Sequence, residues 1–324
     1  MDKLSTIQQP IQKELESLNM TIRAALQTDS DLMNSVVDYY LGVKGKQIRP
    51  LLVMLSASLC GSINESTINA AAGIELLHNA SLIHDDVVDE SLQRRGRKTV
   101  NGVWDNRIAV LVGDYFVSCA LKCAVKTGMI SIVDTLGTLG RELARGEIDQ
   151  ISNVEHHLID EQAYFDVIRQ KTASLFVSCM QMGALSVSAP LEETCKLMTF
   201  GEKLGLCFQI KDDIFDYYED TSIGKPTGND IREGKVTLPL LYALQHGNKD
   251  EAAFMSELLK KNVLSADEVN SLIMFARGNG GIQYAENVME RLRSEGYEVL
   301  SSFGDTPITA SLKSILDYTI ERKK

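Results

Sequence analysis

Two short acidic runs carry the clearest chemical signal: Asp85-Asp-Val-Val-Asp89 and Asp212-Asp-Ile-Phe-Asp216. On a helix, at about 100° per residue, the first and last aspartates of each run lie about 40° apart with the second beside them, so three carboxylates share a face. Val87 and Val88, like Ile214 and Phe215, are then expected to point the other way, into neighbouring helices. Like charges so spaced repel, by roughly a few tenths of a kcal/mol per i,i+4 pair on an open surface, and call for something positive between them. Oxygen-only donor sets of this kind suit Mg²⁺, which keeps several waters and joins a few carboxylates to substrate phosphates. The apolar stretches Ile74–Ile83 and Gly205–Ile210 lead into the two runs and place the acids at the ends of buried helices.

Bases follow where phosphates would need them. Arg94, Arg95, Arg97 and Lys98 come after the first run; Lys225 and Lys235 come after the second, with Asp230 between them. Lys46 and Arg49 stand in Gly45-Lys-Gln-Ile-Arg-Pro50, where a helix is expected to begin, and Lys171-Thr172 opens an uncharged segment. Arginine offers phosphate a planar fork and lysine a point charge. The whole chain carries −11, a field that repels nucleic acid and anionic lipid, so an anionic ligand must be caught by local bases or bound cations. His78 and His84-Asp85 open a rival reading as a metal phosphohydrolase. That reading leaves the second acidic run unused.

These residues need long helices to hold them. No proline falls between Pro50 and Pro190, and apolar residues recur at helical spacing over 51–59, 68–89, 107–126, 130–151 and 161–187. Strand alternation is nearly absent. Loops are expected at 42–45, 94–98 and 126–128 and over the polar stretch 217–235. No linker or solenoid repeat divides the chain, so one all-α domain spanning 1–324 is the expectation. Cys60, Cys119, Cys123, Cys179, Cys195 and Cys207 form no Cys-x-x-Cys pair and read as reduced core thiols. The segment 172–191 lacks charge but carries enough Ser, Thr and Gln to read as a buried helix, with no stable membrane insertion. The start shows no targeting pattern, and cytoplasm is the default.

The ordered set Gly45-Lys-Gln-Ile-Arg-Pro50, Glu75-Leu-Leu-His78, Asp85–Asp89 with Arg94-Arg95-Gly96, Lys171-Thr172, Phe208-Gln209, Asp212–Asp216, and Gly224-Lys225 through Gly234-Lys235 resembles the trans-polyprenyl diphosphate synthases. The likeness extends from about Gly45 to Pro239. It implies the isoprenoid synthase fold, a multi-helix bundle around a central cavity. By the resemblance, isopentenyl diphosphate is held by Lys46, Arg49, His78 and Arg95. The allylic diphosphate is held by Arg94, Lys171, Thr172, Gln209, Lys225 and Lys235. About three Mg²⁺ ions are implied at Asp85, Asp89 and Asp212, with Asp86, Asp213 and Asp216 in support. Gln47 departs from a position that is often basic in relatives.

The implied reaction is successive head-to-tail trans addition of isopentenyl diphosphate to an allylic diphosphate (geranyl, farnesyl or geranylgeranyl). Leu77, Ala80 and Ser81 lie one and two turns beneath Asp85, and the small pair at 80 and 81 leaves room for a long tail of heptaprenyl, octaprenyl or solanesyl length, as for a quinone side chain. Shorter products of farnesyl or geranylgeranyl length, a non-catalytic regulatory subunit and terpene cyclisation are the alternatives. A homodimer is implied, with an interface around 107–151. Arg322-Lys-Lys324 reads as a solvated tail, or as a tail that closes over the site.

Overall fold

A computed structural model describes residues 7–42, 45–94, 96–157, 159–218, 227–261 and 263–322. In chain order the elements begin with α1 (Gln12–Leu26), α2 (Asp31–Leu41), α3 (Ile48–Cys60) and α4 (Glu65–Val88). A two-residue hairpin, β1 (Gln93–Arg94) and β2 (Arg97–Lys98), leads into α5 (Val100–Val103), α6 (Asn106–Lys126) and α7 (Ile130–Glu155). Next come α8 (Glu161–Ile168), a π turn over Arg169–Ala173, α9 (Ser174–Ser186) and α10 (Leu191–Phe215). The chain closes with α11 (Asn229–Arg232), α12 (Leu238–His246), α13 (Lys249–Leu258), α14 (Ala266–Gly278), α15 (Gly281–Ser301) and α16 (Pro307–Glu321). The fold class is all-α.

Residue contacts gather the chain into two compact units. The first takes the chain through Arg141, then Leu175–Gly201 and Phe303–Leu312. The second takes Glu142–Ser174, Glu202–Ser302 and the chain from Lys313 onward.

In the first unit α4 is the central rod. Asn64 caps it by accepting from the Thr67 backbone N–H while the Thr67 hydroxyl receives the Asn64 N–H, which satisfies two of the amides a helix start leaves open. Ile68, Ala70, Ala71, Ala72, Ile74 and Leu76 are all buried. Each large side chain so enclosed contributes about 1.5–3 kcal/mol. Helix α6, capped by Asp105 through the Ile108 N–H at 2.8 Å, packs along α4. Gly113 permits this approach, because a Cβ there would meet the His84 ring at 2.1 Å.

In the second unit the distal half of α10 is enclosed, with Leu204, Leu206, Cys207, Ile210 and Ile214 buried. Helices α12, α14 and α15 supply further core residues, among them Leu240, Leu272 and Met289. Tyr242 stacks between His246 and Tyr284, both at 4.3 Å, and the Tyr284 hydroxyl donates to Glu161 at 2.8 Å. Gly146 on α7 lies against the π turn so closely that a Cβ would stand 2.8 Å from the Lys171 backbone nitrogen.

Several expectations change in detail. The segment expected to be one helix over 161–187 is broken by the π turn, where the extra residue per turn carries Lys171 and Thr172. Val88 is exposed rather than packed, because α4 ends there. Asp216 lies beyond the end of α10. All six cysteines are free, but Cys195 is exposed and Cys60 only half-buried, so the core-thiol reading holds for Cys119, Cys123, Cys179 and Cys207. Among the described residues the helix long and apolar enough to cross a membrane is α6, not the stretch 172–191, and 44% of its apolar window is buried.

Candidate active site

In the first unit the acidic run does not present three equal carboxylates. Asp85 is half-buried and Asp89, the C-cap of α4, is exposed. Asp86 instead turns inward, where it accepts from Arg94 Nε at 2.8 Å, and its backbone carbonyl accepts from Asn101. Burial pushes the Asp86 carboxyl above the usual carboxylate range, with the Arg94 charge working against that rise. Asp86 stands about 100° round the helix from Asp85, which is enough to turn it toward Arg94 and Asn101. Arg97 lies 4.5 Å over the Tyr39 ring, and the Tyr39 hydroxyl donates to the Lys98 carbonyl at 2.8 Å, so the hairpin carrying these bases is tied to α2.

Gln47 adopts φ +50 immediately before α3 and donates to Asn19 at 2.9 Å, so it serves as a brace between α1 and the turn. Lys46 on its one side is exposed. Arg49 on the other lies with its guanidinium 5.9 Å from the Phe176 ring. His78 is buried on α4, and Ser81 donates to the His78 carbonyl at 2.9 Å. Leu77 and Ala80 are buried and Ser81 half-buried, along the helix that ends at Asp85 and Asp86.

In the second unit Lys171, Thr172, Gln209, Asp213 and Lys235 line one cavity of about 170 Å³, together with Tyr164, Gln150 and Asp230. Lys171 pairs with Glu147 and donates to Gln150 at 3.2 Å. Thr172 donates to Gln209 Oε1 at 2.7 Å, and Gln209 Nε2 donates to Asp213 Oδ1 at 2.8 Å. The buried Tyr164 hydroxyl donates to the other Asp213 oxygen at 2.5 Å. Burial and the nearby Asp230 charge raise the Asp213 carboxyl, and burial with Asp216 raises Asp230. Asp216 accepts the backbone N–H groups of Asn229 and Asp230, both at 2.9 Å, and so folds the turn that follows back onto the end of α10. Lys235 pairs with Glu233 at 2.6 Å.

Asp212 meets an unexpected partner. Arg322 donates to Asp212 Oδ1 at 2.6 Å and to the Phe208 carbonyl at 2.9 Å, with its guanidinium 4.1 Å from the Phe208 ring and 5.4 Å from Phe215. Its side chain is 10% exposed, so the solvated-tail reading fails at this residue. Sequence reasoning also missed Tyr164, Glu147 and Gln150. Their partners lie on other helices, and nothing local marks them. Arg95 and Lys225, together with Lys323 and Lys324, lie outside the described residues.

The donor set has a consequence for metal. Among the described residues no three His, Cys, Asp or Glu side chains gather into a ready-made metal cluster. Asp86, Asp213 and Asp216 direct their oxygens to protein donors; Asp212 gives Oδ1 to Arg322 but stays 41% exposed, and Asp85 and Asp89 keep contact with solvent. Few carboxylates, all oxygen, open to water and flanked by bases, fit an ion that completes its shell with water and substrate phosphate.

The profile of the polyprenyl synthetase family matches residues 30–275. The chain belongs to that family. It is 32% identical over 320 residues to an octaprenyl diphosphate synthase of Haemophilus influenzae, covering 98% of this chain and 97% of that one. It is 36% identical over 243 residues to heptaprenyl diphosphate synthase component 2 of Geobacillus stearothermophilus, covering 75% and 76% respectively. A solved geranylgeranyl pyrophosphate synthase from Bacteroides thetaiotaomicron is 39% identical and superposes with a TM-score of 0.86, covering 99% of this chain and 100% of that one. The polyprenyl synthetase assignment carries the all-α isoprenoid synthase fold with it.

Proposed function

We propose that this chain is a trans-polyprenyl diphosphate synthase, a prenyltransferase that adds isopentenyl diphosphate repeatedly to an allylic diphosphate. The observation that carries the reading is the second-unit cavity, where Lys171, Thr172, Gln209 and Lys235 meet beside Asp213 and Asp230. The hollow sets Lys171 and Lys235 beside Asp160, Asp213 and Asp230, so a diphosphate bound there would draw on the two ammonium groups and on cations held by carboxylates. Lys171, Thr172, Gln209 and Lys235, with Arg94 and Lys225, bind and orient the allylic diphosphate. Lys46, Arg49 and His78, with Arg95, hold the diphosphate of isopentenyl diphosphate. Asp85 and Asp89 in the first unit, and Asp212 in the second, would hold Mg²⁺, whose chemistry is to neutralise charge on the departing diphosphate. Asp86, Asp213 and Asp216 fix the neighbouring backbone and bases. Apolar helix walls keep water from the reacting carbon.

A long product follows from α4. Ser81 and Leu77 lie about 6 and 12 Å below Asp85 on the same wall, and the small residues Ala80 and Ser81 obstruct a growing tail less than an aromatic group would. The homodimer reading is supported by α6, which leaves Val110, Leu111, Val117, Leu121 and Val125 exposed, a large apolar patch of the kind a partner covers. The two-component name of the Geobacillus relative supports a second reading, in which this chain acts with a different subunit. Purified chain, incubated with Mg²⁺, farnesyl diphosphate and labelled isopentenyl diphosphate, is expected to incorporate label into a long-chain product. Incorporation that appears only after a second subunit is added decides for the second reading; phosphate release without chain growth decides against both.

A further inference from the structure

The cavity wall contains a hydrogen-bonded chain that the assignment of substrate ligands does not explain. It runs from Tyr164 on α8 to Asp213, back one turn along α10 to Gln209, and out to Thr172 on the π turn, with donor–acceptor distances of 2.5, 2.8 and 2.7 Å. Every oxygen of the Asp213 carboxylate accepts from a named donor, and Tyr164 is 8% exposed. The amide of Gln209 is thereby oriented: its nitrogen faces Asp213 and its oxygen must face Thr172.

The register of the two segments explains why this works. Tyr164 and Thr172 are eight residues apart on one continuous helical stretch, and along an ideal α-helix they would be rotated about 80° from each other. The wider i→i+5 turn over Arg169–Ala173 takes back part of that rotation, so both side chains reach α10 at positions one turn apart. On the opposite side Gly146 lets α7 press on the Lys171 backbone, with Glu147 and Gln150 on the Lys171 ammonium. The turn is held between two helices.

We infer that Tyr164 is a positioning residue: its hydroxyl fixes Asp213, and through Gln209 fixes Thr172 and the π turn that presents Lys171 to the allylic diphosphate. The inference rests on the proposed role of Lys171 and Thr172. The Tyr164 hydroxyl is spent on Asp213.

Steady-state kinetics with Mg²⁺, farnesyl diphosphate and labelled isopentenyl diphosphate test it. Tyr164→Phe removes one hydroxyl and keeps the ring. The expected result is a KM for farnesyl diphosphate raised roughly tenfold, with the KM for isopentenyl diphosphate within about twofold of wild type. Thr172→Val should raise the same KM, and the double variant should exceed Thr172→Val by no more than about twofold, because both changes cut one chain. Thr172→Ser keeps the hydroxyl and should preserve the full response to Tyr164→Phe. An unchanged KM in Tyr164→Phe, equal losses for both substrates, additive effects in the double variant, or a Phe variant that does not fold would each overturn the positioning role. A wild-type protein without incorporation, alone and with a second subunit, would instead remove the proposed function. Calorimetric titration with inorganic pyrophosphate and Mg²⁺ would then decide the positioning role alone, unchanged affinity in Tyr164→Phe overturning it.

Discussion

Arg322 and Asp212 show how one side chain can alter the meaning of a motif. The guanidinium is enclosed by two aromatic rings and a carbonyl, and its carboxylate partner is partly open to water. Half-open pairs are worth less than enclosed ones because solvent screens them. Arg322→Ala is therefore expected to lower stability by about 1–2 kcal/mol, read from urea unfolding, with the loss coming from stacking and the carbonyl bond as much as from charge. At Asp213 the direction is set by burial. A carboxyl raised in the folded state binds its proton more tightly than in the unfolded chain, so stability declines as pH rises above the ordinary carboxylate range toward the raised folded value. In metal-free protein, Asp213→Asn is expected to flatten that decline in a series of thermal melts from pH 5 to pH 8 (roughly the window between ordinary and raised carboxyls). Ser81 offers a steric test. Ser81→Phe should shorten the product, checked by chromatography of the dephosphorylated chains; unchanged lengths would remove α4 from the tail's path.

Among the elements, the contact between α7 and the π turn is the most sensitive to volume. Gly146→Ala places a methyl 2.8 Å from a backbone nitrogen and 3.1 Å from the Lys171 Cα, neither of which can rotate away. The helix or the turn must shift, at about 1–3 kcal/mol. Because Lys171 and Thr172 ride on the turn, the expected outcome is a KM for the allylic substrate raised about tenfold or more together with a lower melting temperature. A variant with lowered melting temperature and unchanged KM would show that the turn's position does not matter to binding. The helical periodicity of this region was legible, since the apolar pattern over 161–187 continues through the π turn. The extra residue was not, because a π turn is stabilised by what packs against it, here Gly146 and Gln209, both distant in sequence.

For the whole molecule the exposed face of α6 is the decisive feature. Leu121 and Val125 stand on a face whose other side is buried against α4, so a charge at Leu121 should leave the fold intact. Leu121→Glu is expected to convert a dimer to a monomer at micromolar concentration in light-scattering chromatography, and to abolish the fall of the unfolding midpoint on dilution that a dimer shows. A wild-type monomer at the same concentration would remove the homodimer proposal.

The sequence by itself determined the all-helical class, the helices over 51–59, 68–89, 107–126 and 130–151 to within a few residues, and the chemical types at the site. Both follow from local rules: apolar spacing, proline absence, and aspartates set beside bases. It also determined family membership through the order of short motifs along the chain. The tertiary structure alone decided which aspartates turn inward, that Arg322 reaches Asp212, and that Tyr164, Gln209 and Thr172 share one hydrogen-bonded chain. Those outcomes depend on which helix lies opposite. A carboxylate's role is set by the donors and the burial around it, and such neighbours are brought together by packing across the fold, where sequence distance carries no information.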